Sequence, residues 1–409
     1  MGLRSEVIRS WKALDALEGD WDRLWRAGFR TRRLCLAYRW VRTIMAWFDG
    51  SRGTTTRPWC VVLRDGTDAV RGIAPLVEEE GSNGRRVRSL PDWVERNHAF
   101  LCDGPVAPLA RAVRWHLDHD GKDALRLRGV LRGEAQALLE AWDAPWRATA
   151  LRMSLREGKD GAVGTCFWDR RSIVLAGSWE AWLERRTVGF RRSLRRSWRR
   201  AAKVGEARYW RRCGGRQLAG EPLPTSELLR LFRAVEERAW QHEDRFGPDG
   251  EGRVIVDTLE PLGMLDASLL FLDGQPVTYE MGHVAGGGAT SKYAGYDPAV
   301  RECSPGTLAL SELVRTSFEA GGLDEINLRG SEHEYKRVVT ELVESAFELE
   351  LLARSPRGLV TAVSRRWDSG RRLVGAAALR EVATPDALSP PDESGCGESS
   401  EETGPLPAG

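Results

Sequence analysis

Ser291–Arg337 reads SKYAGYDPAVRECSPGTLALSELVRTSFEAGGLDEINLRGSEHEYKR, and the order of its parts decides the fold. GATSKYAGYD is a strand, and the loop PAVRECSPG carries the chain into the helix TLALSELVRTSFEAGG, which stops at a glycine pair. DEINLRG is the next strand, EYKRVVTEL a helix and ESAFELELLAR a last strand. The turn Arg301-Glu302-Cys303-Ser304-Pro305-Gly306-Thr307 leaves a strand and opens a helix. Free N–H groups at a helix start, with the positive end of its dipole, favour an anion. Gly306 lets backbone approach a phosphate closely and Arg301 adds charge, so a pyrophosphate fits here. The alternative reading of the turn alone is a Pro-Gly helix start with no ligand.

Upstream, LDASLLFLDG and QPVTYEMGHV form a hairpin about Asp273-Gly274. Before it come the strand RSIVLAG, the helix SWEAWLERR with Ser178 as N-cap, a basic helix over Val188–Val204 closed by Gly205 as a C′ residue, and the strand EARYWRR. A helix SELLRLFRAVEERAWQHE, capped by Thr225 or Ser226, follows a Gly/Pro-rich loop. The chain opens on the amphipathic helix SWKALDALEGDWDRLWRAG and a second helix over about Tyr38–Phe48. PWCVVLRDG and AVRGIAPLVEE make a hairpin at Asp65-Gly66. HAFLCDG, DALRLRG and Arg147–Leu155 are strands, and Ala107–Asp118 and Glu134–Trp142 are helices. Two α/β segments with one rhythm thus follow each other, divided at the Gly-rich stretch Glu157–Asp169. Their shared rhythm hints at a duplication. Residues 357–378 are expected to add a helix. The tail 379–409 is acidic and rich in Pro, Gly and Ser, cannot bury enough surface to offset ordering entropy, and is expected to be disordered.

The 409 residues suffice for two or three domains, and a net charge of +2 names no partner. Seven scattered cysteines with no CxxC pair exclude a disulfide framework and a zinc pattern, and six scattered histidines argue against any metal. Cys303 lies in the turn, yet no His or Asp is placed to activate it, which argues against a catalytic cysteine. MGLRSEVIRSWKAL has no apolar signal region, and no run of about 18 apolar residues occurs, so a cytoplasmic protein without a membrane span is expected.

The ordered set of motifs resembles the acetyltransferase domain of CelD-type and BioF-like GNAT proteins, distant relatives of the FemAB peptidyltransferases. The elements that carry the likeness are Tyr296-Asp297-Pro298, Ser304-Pro305-Gly306, Gly321-Gly322, and Gly330 followed by Glu334-Tyr335-Lys336. Trp240, the hairpin LFLDGQPV and the basic helix FRRSLRRSWRRAAKVGE also fit, as does the first hairpin VVLRDGTDAVRGIAPLV. The sequence departs from the family after the Tyr-Lys pair, where Arg337-Val338-Val339 replaces the usual aromatic. The resemblance implies an α/β (α+β) fold of two tandem GNAT-like domains, each a mixed, mostly antiparallel sheet flanked by helices. Residues 1–160 would be a non-catalytic copy and 170–356 the acetyltransferase domain.

It also implies acyl transfer from acetyl-CoA or another acyl-CoA to an amine, on a small molecule or glycan precursor in polysaccharide or envelope synthesis. Such a reaction needs a base for the attacking amine, a donor to the oxyanion and an acid for the departing thiolate. Tyr335, beside a helix start that would lower its pKa, is the candidate acid; a core tyrosine is the alternative. Glu280 or His283 is the candidate base, with Glu280 preferred. Their separation of three puts them on opposite faces of a regular strand. Arg301, Ser304, Gly306, Thr307, Tyr296 and Lys336 are the candidate cofactor residues, with Lys292 a further lysine able to pair with phosphate.

The basic helix admits three readings: a core-packed helix with a charged outer face, a site for CoA phosphates or an anionic surface, and a tRNA site. Accordingly, two other functions compete with the acyl-CoA enzyme. One is a FemAB-like peptidyltransferase using aminoacyl-tRNA; the other is a non-catalytic accessory protein of polysaccharide synthesis.

Overall fold

The computed structural model describes residues 2–28, 36–52, 55–78, 86–90, 100–142, 148–152, 168–239, 244–329, 334–353 and 356. Most of the expected boundary stretch, Gly330, Trp240, the helix 357–378 and the tail 379–409 lie outside them.

The N-terminal half runs β1 (Arg4–Ile8), α1 (Trp11–Asp15), α2 (Glu18–Ala27), α3 (Tyr38–Arg52), β2 (Cys60–Arg64), β3 (Val70–Ala74), β4 (Leu76–Glu78), β5 (Arg86–Ser89), β6 (Leu101–Cys102), α4 (Ala107–His119), β7 (Ala124–Leu131), α5 (Arg132–Ala141) and β8 (Ala148–Arg152). The C-terminal half runs β9 (Trp168–Val174), α6 (Trp179–Glu184), α7 (Val188–Val204), β10 (Ala207–Cys213), β11 (Arg216–Ala219), α8 (Thr225–Glu236), α9 (Glu251–Leu259), β12 (Leu265–Leu272), β13 (Gln275–Ala285), β14 (Gly288–Tyr296), a 3-10 turn Pro298–Cys303, α10 (Pro305–Ala320), β15 (Glu325–Asn327), α11 (Glu334–Val339) and β16 (Leu342–Leu352).

The fold is the mixed α/β kind expected, with antiparallel-rich sheets flanked by helices. Local details differ. The opening helix is two helices: Ser10 caps α1, and α2 starts afresh with Glu18 and Asp20 in its first turn, where acids favour a helix start. A short strand, β1, precedes them and pairs with β2. Ser178 does cap α6, and Thr187 caps α7. Helix α8 begins at Thr225 itself, with Pro224 at the cap position and no side-chain bond. Gly205 ends α7 in extended backbone rather than the left-handed form; what excludes a side chain there is Asp273, whose Cβ stands 2.5 Å from where a Cβ would be.

The two halves are joined through their strands. They share one twelve-stranded sheet, ordered β11-β10-β12-β13-β14-β15-β9-β16-β7-β5-β4, with β8 also on β16. The first part of β16 pairs with β9, from Leu342↔Ser172 to Ala346↔Trp168. Its second part pairs with β7, to Leu352↔Ala124, and with β8. Leu349, Leu351 and Ala353 therefore belong to the core built on β7, α4 and α5. Helix α3 returns the exchange, placing Trp40 and Ile44 in the core under α8 and α9. The twelve-stranded sheet thus draws strands from both 1–160 and 170–356, while a second sheet, β1-β2-β3-β6, lies wholly within the first. Each half nonetheless contains parallel strands bridged by a helix, β5 with β7 across α4 and β14 with β15 across α10.

In the C-terminal half, α8 and α9 cover one face, over Trp210, Leu265, Ala267, Leu269, Tyr279 and Met281. Helices α6, α7 and α10 cover the other, with Leu194 and Ala201 of α7 packed on Leu270, Leu272, Val277 and Leu308. The β13–β14 ladder shifts register at Met281/Gly282, so that Met281 faces Tyr293, Gly282 faces Ser291, and Lys292 is the extra residue. A Cβ on Gly282 would run into the Thr290 carbonyl oxygen.

Two outcomes follow from this packing. Leu349→Ala empties a fully buried position and should cost about 2–5 kcal/mol in denaturant unfolding, in one transition; two separate transitions would show that the halves fold independently. Gly282→Ala meets backbone that cannot yield, and should cost at least about 1–3 kcal/mol in the same measurement.

Candidate functional site

Strands β14 and β15 are parallel but pair only over Gly288–Thr290 and Glu325–Asn327. Beyond Thr290, β14 continues through its bulge to Tyr296, while β15 has ended. Among the described residues no further strand pairs with that side of β14 beyond Thr290, and a strand edge of this kind suits an extended, amide-bearing ligand. The chain then makes the 3-10 turn and enters α10.

Ser304 is the N-cap of α10 in left-handed backbone, φ 50° and ψ 56°, with no side-chain capping bond. Thr307 N–H and Leu308 N–H donate back to the Ser304 carbonyl. Gly306 is exposed, and a Cβ placed on it would meet nothing within 4 Å. Arg301 is exposed beside it. Pro305 has no N–H and those of Thr307 and Leu308 are bonded within the turn, so Gly306 is the exposed backbone position at this helix start. It is also flanked by α7: Arg200 Nη1 donates to the Glu302 carbonyl at 2.9 Å. Cys303 is buried, and burial pushes its thiol pKa up despite the nearby Arg200, so it is held as a thiol. Tyr296, the last residue of β14, is half-buried opposite Thr278.

A second group gathers where the strands part. Thr278, Glu280 and Gly282 face α10, whereas Tyr279, Met281 and His283 point to the α8–α9 side. His283 is thus off the pocket that Glu280 lines, as its spacing implied. That pocket, about 10 Å³, has space for roughly one water and is lined by Asp266, Glu280, Gly282, Thr290, Ser291, Leu313 and Ile326. Burial first, and then the Asp266 carboxylate, push the Glu280 pKa up; a hydrogen bond from Ser291 and the charges of Arg211 and Lys336 oppose them.

Tyr335 and Lys336 reach this group from α11. Tyr335 is 49% exposed, yet the protein crowding it, and then the charge of Glu280, push its phenol pKa up. This is opposite to the lowering expected from a helix start; α11 is a six-residue helix, and burial, and then the charge of Glu280, outweigh its small dipole. Lys336 is buried and donates to the Leu328 carbonyl at 2.8 Å. Burial, and then Arg329, lower its pKa to about 8. It faces Glu280 instead of reaching out to a phosphate as expected. Lys292 is likewise not free for phosphate, being paired with Glu251 of α9 at 3.1 Å.

Arg211 and Asp266 were not anticipated. Arg211 is fully buried on β10 and grips Asp266 of β12 through Nε and Nη2 at 3.0 and 2.9 Å. Its Nη1 donates to the Leu313 carbonyl, Thr316 Oγ1 and Ser317 Oγ of α10 at 2.7–2.9 Å. The signal was Asp266, the one charge in the apolar strand LDASLLFL; Arg211 is one of three arginines in ARYWRRC, and that strand's pattern does not single it out. Arg329 was also missed. Like Ser304 it is a non-glycine residue with positive φ, 58°, and its N–H donates to Asn327 Oδ1.

No helix among the described residues is long and apolar enough to cross a membrane, and no His/Cys/Asp/Glu group among them is arranged to hold a metal. No curated protein matches the chain in sequence. Residues 189–337, from α7 to α11, match the family described as acetyltransferase (GNAT) domain. In structure the chain is similar to FemX at 12% identity and TM-score 0.56, over 88% of this chain and 100% of that one. It is also similar to a conserved protein of unknown function from Bacteroides thetaiotaomicron at 11% identity and TM-score 0.50, over 85% and 100%. At such identities the likeness is one of fold. The fold is thus similar to solved proteins over 85–88% of the chain, and the segment holding both the turn before α10 and the Glu280 group matches the GNAT acetyltransferase domain.

Proposed function

We propose that the protein transfers an acyl group from an acyl-CoA to an amine, with the donor lying along the free edge of β14 and its pyrophosphate at the start of α10. The observation that carries this reading is the parting of β14 and β15, with an open helix start beside it and Glu280, Tyr335 and Lys336 gathered at the fork. The match of residues 189–337 supports the reaction class. Arg301, Gly306 and Thr307 are the phosphate residues, Ser304 sets the turn, and Tyr296 borders it.

The chemistry follows from the charge states. The attacking amine loses its proton to Glu280, whose raised pKa makes it a better base than an exposed carboxylate. Attack forms the nitrogen–carbon bond and places charge on the carbonyl oxygen, and Lys336 supplies a positive charge near it. The carbon–sulfur bond then breaks, and Tyr335, still protonated at neutral pH, gives its proton to the thiolate. The acceptor is an amine on a small molecule or glycan precursor, in the manner of the CelD-type proteins; the N-terminal half forms a wall of the cleft without chemistry of its own, and the protein works in the cytoplasm.

One observation favours a second reading, an aminoacyl-tRNA donor. Helix α7 carries six arginines and Lys203 with no acid. Among the described residues none of these cations forms an ion pair. Such a face attracts a polyanion, with binding that weakens steeply in salt.

Thermal-shift titration separates the readings. Acetyl-CoA or a longer acyl-CoA should raise the melting temperature; stabilisation by bulk tRNA alone, lost in salt, would favour the second reading, and no response to any CoA would sink the first. Glu280→Gln should lower transfer about 10²–10⁴-fold, and full activity in Tyr335→Phe would remove that residue's role. Lys336 gives a prediction independent of turnover. A lysine whose folded pKa lies below its unfolded value costs stability while protonated, so the stability is fully present above about pH 10.4 and lost as pH falls through about 8. Between pH 7 and 10 the wild type should gain on the order of 3 kcal/mol relative to Lys336→Met in denaturant unfolding.

A further inference from the structure

We infer that Arg211 and Asp266 are positioning residues of the site, a buried charge pair that holds α10 against the sheet and sets the charge felt by the Glu280 carboxylate. The inference rests on the reading of Glu280 as the base.

The geometry is a polar row crossing four strands beneath α10. Arg211 of β10 stands opposite Ser268 of β12, and Ser268 stands opposite Glu280 of β13. Asp266 stands opposite Cys213 on one side and Gly282 on the other. Ser291 of β14, opposite Gly282, completes the row with a hydrogen bond to Glu280. Asp266 spends both oxygens on Arg211 and also lines the pocket that Glu280 lines, so one guanidinium answers for two carboxylates.

Stability alone does not account for such a pair. A buried ion pair recovers little more than its desolvation cost, and apolar residues of like volume would hold two strands and a helix as well. What apolar residues cannot supply is a fixed charge beside Glu280. Two opposed influences reach that carboxylate: Asp266 favours its protonated form and Arg211 its ionised form. The other titratable groups facing it among the described residues are Tyr209 of β10 and Tyr335 and Lys336 of α11. Helix α10 brings only Leu313 to the pocket.

The test is the titration of the Glu280 carboxyl carbon by ¹³C NMR in full-length protein labelled at glutamate, assigned by its loss in Glu280→Gln. Asp266→Asn leaves Arg211 uncompensated and should move the midpoint down by about one pH unit or more. Arg211→Met leaves Asp266 uncompensated and should move it up. Opposite shifts support the inference; no shift in either, or shifts of the same sign, overturn it, because a purely structural pair would not reverse the sign. Should a single variant not fold, Arg211→Met/Asp266→Leu keeps the volume without an orphaned charge. Its midpoint should lie between those of Asp266→Asn and Arg211→Met, since the two influences on Glu280 are opposed, and a midpoint outside that interval overturns the inference. Because the readout needs no turnover, the proposed reaction fails separately, when Glu280→Gln transfers acyl groups as fast as wild type.

Discussion

Arg211 is the group around which the C-terminal half is arranged. A guanidinium has five N–H donors in a fixed plane and cannot shed its charge. Enclosed between the sheet and α10, it must find acceptors in that plane or the fold fails. Asp266 takes one edge, and the Leu313 carbonyl with the Thr316 and Ser317 hydroxyls takes the rest. The helix is thereby held at its C-terminal half, and its N-terminal half projects toward the 3-10 turn with Gly306 open to solvent. The same strands that present Arg211 and Asp266 place Glu280 one step along the row.

The close approach of β13 and β14 belongs to the same arrangement. Gly282 lets the strands meet at the bulge, and the bulge turns Lys292 away to Glu251 while leaving Ser291 beside Glu280. Strand β14 then runs on without β15. A sheet that opened in the middle of a regular ladder would leave backbone groups unsatisfied for no return; here the opening coincides with the mouth of the candidate site.

Much of this was legible in the residues. The hairpin at Asp273-Gly274 was, because both residues take positive φ, 48° and 77°, as a two-residue hairpin turn requires. So were α10 and its glycine end, and the opposite facing of Glu280 and His283, since period-two alternation survives through that part of β13. The directions of Lys336 and Lys292 were not legible, because they are set by tertiary partners, Leu328 and Glu251, that spacing does not reveal. Asp266, a single charge in an apolar strand, reads as a rim residue until its partner on another strand is known, and Arg211 is masked by Arg208 and Arg212 in the same strand. The joining of the halves left no local sign at all: ESAFELELLAR looks the same whether it closes one sheet or two.

That last strand bears on how the chain comes to be folded. The ribosome releases residues in order, and α4, β7 and α5 are complete long before Leu352 exists. Until then the strand edge of β7 that Ala346–Leu352 will cover is open, and the core around Leu125 and Leu127 lacks Leu349 and Leu351. Closing Ala124 onto Leu352 is a contact across most of the protein, of the kind that slows folding. The nascent N-terminal half therefore waits, with an adhesive edge, for the last part of its own sheet to be made.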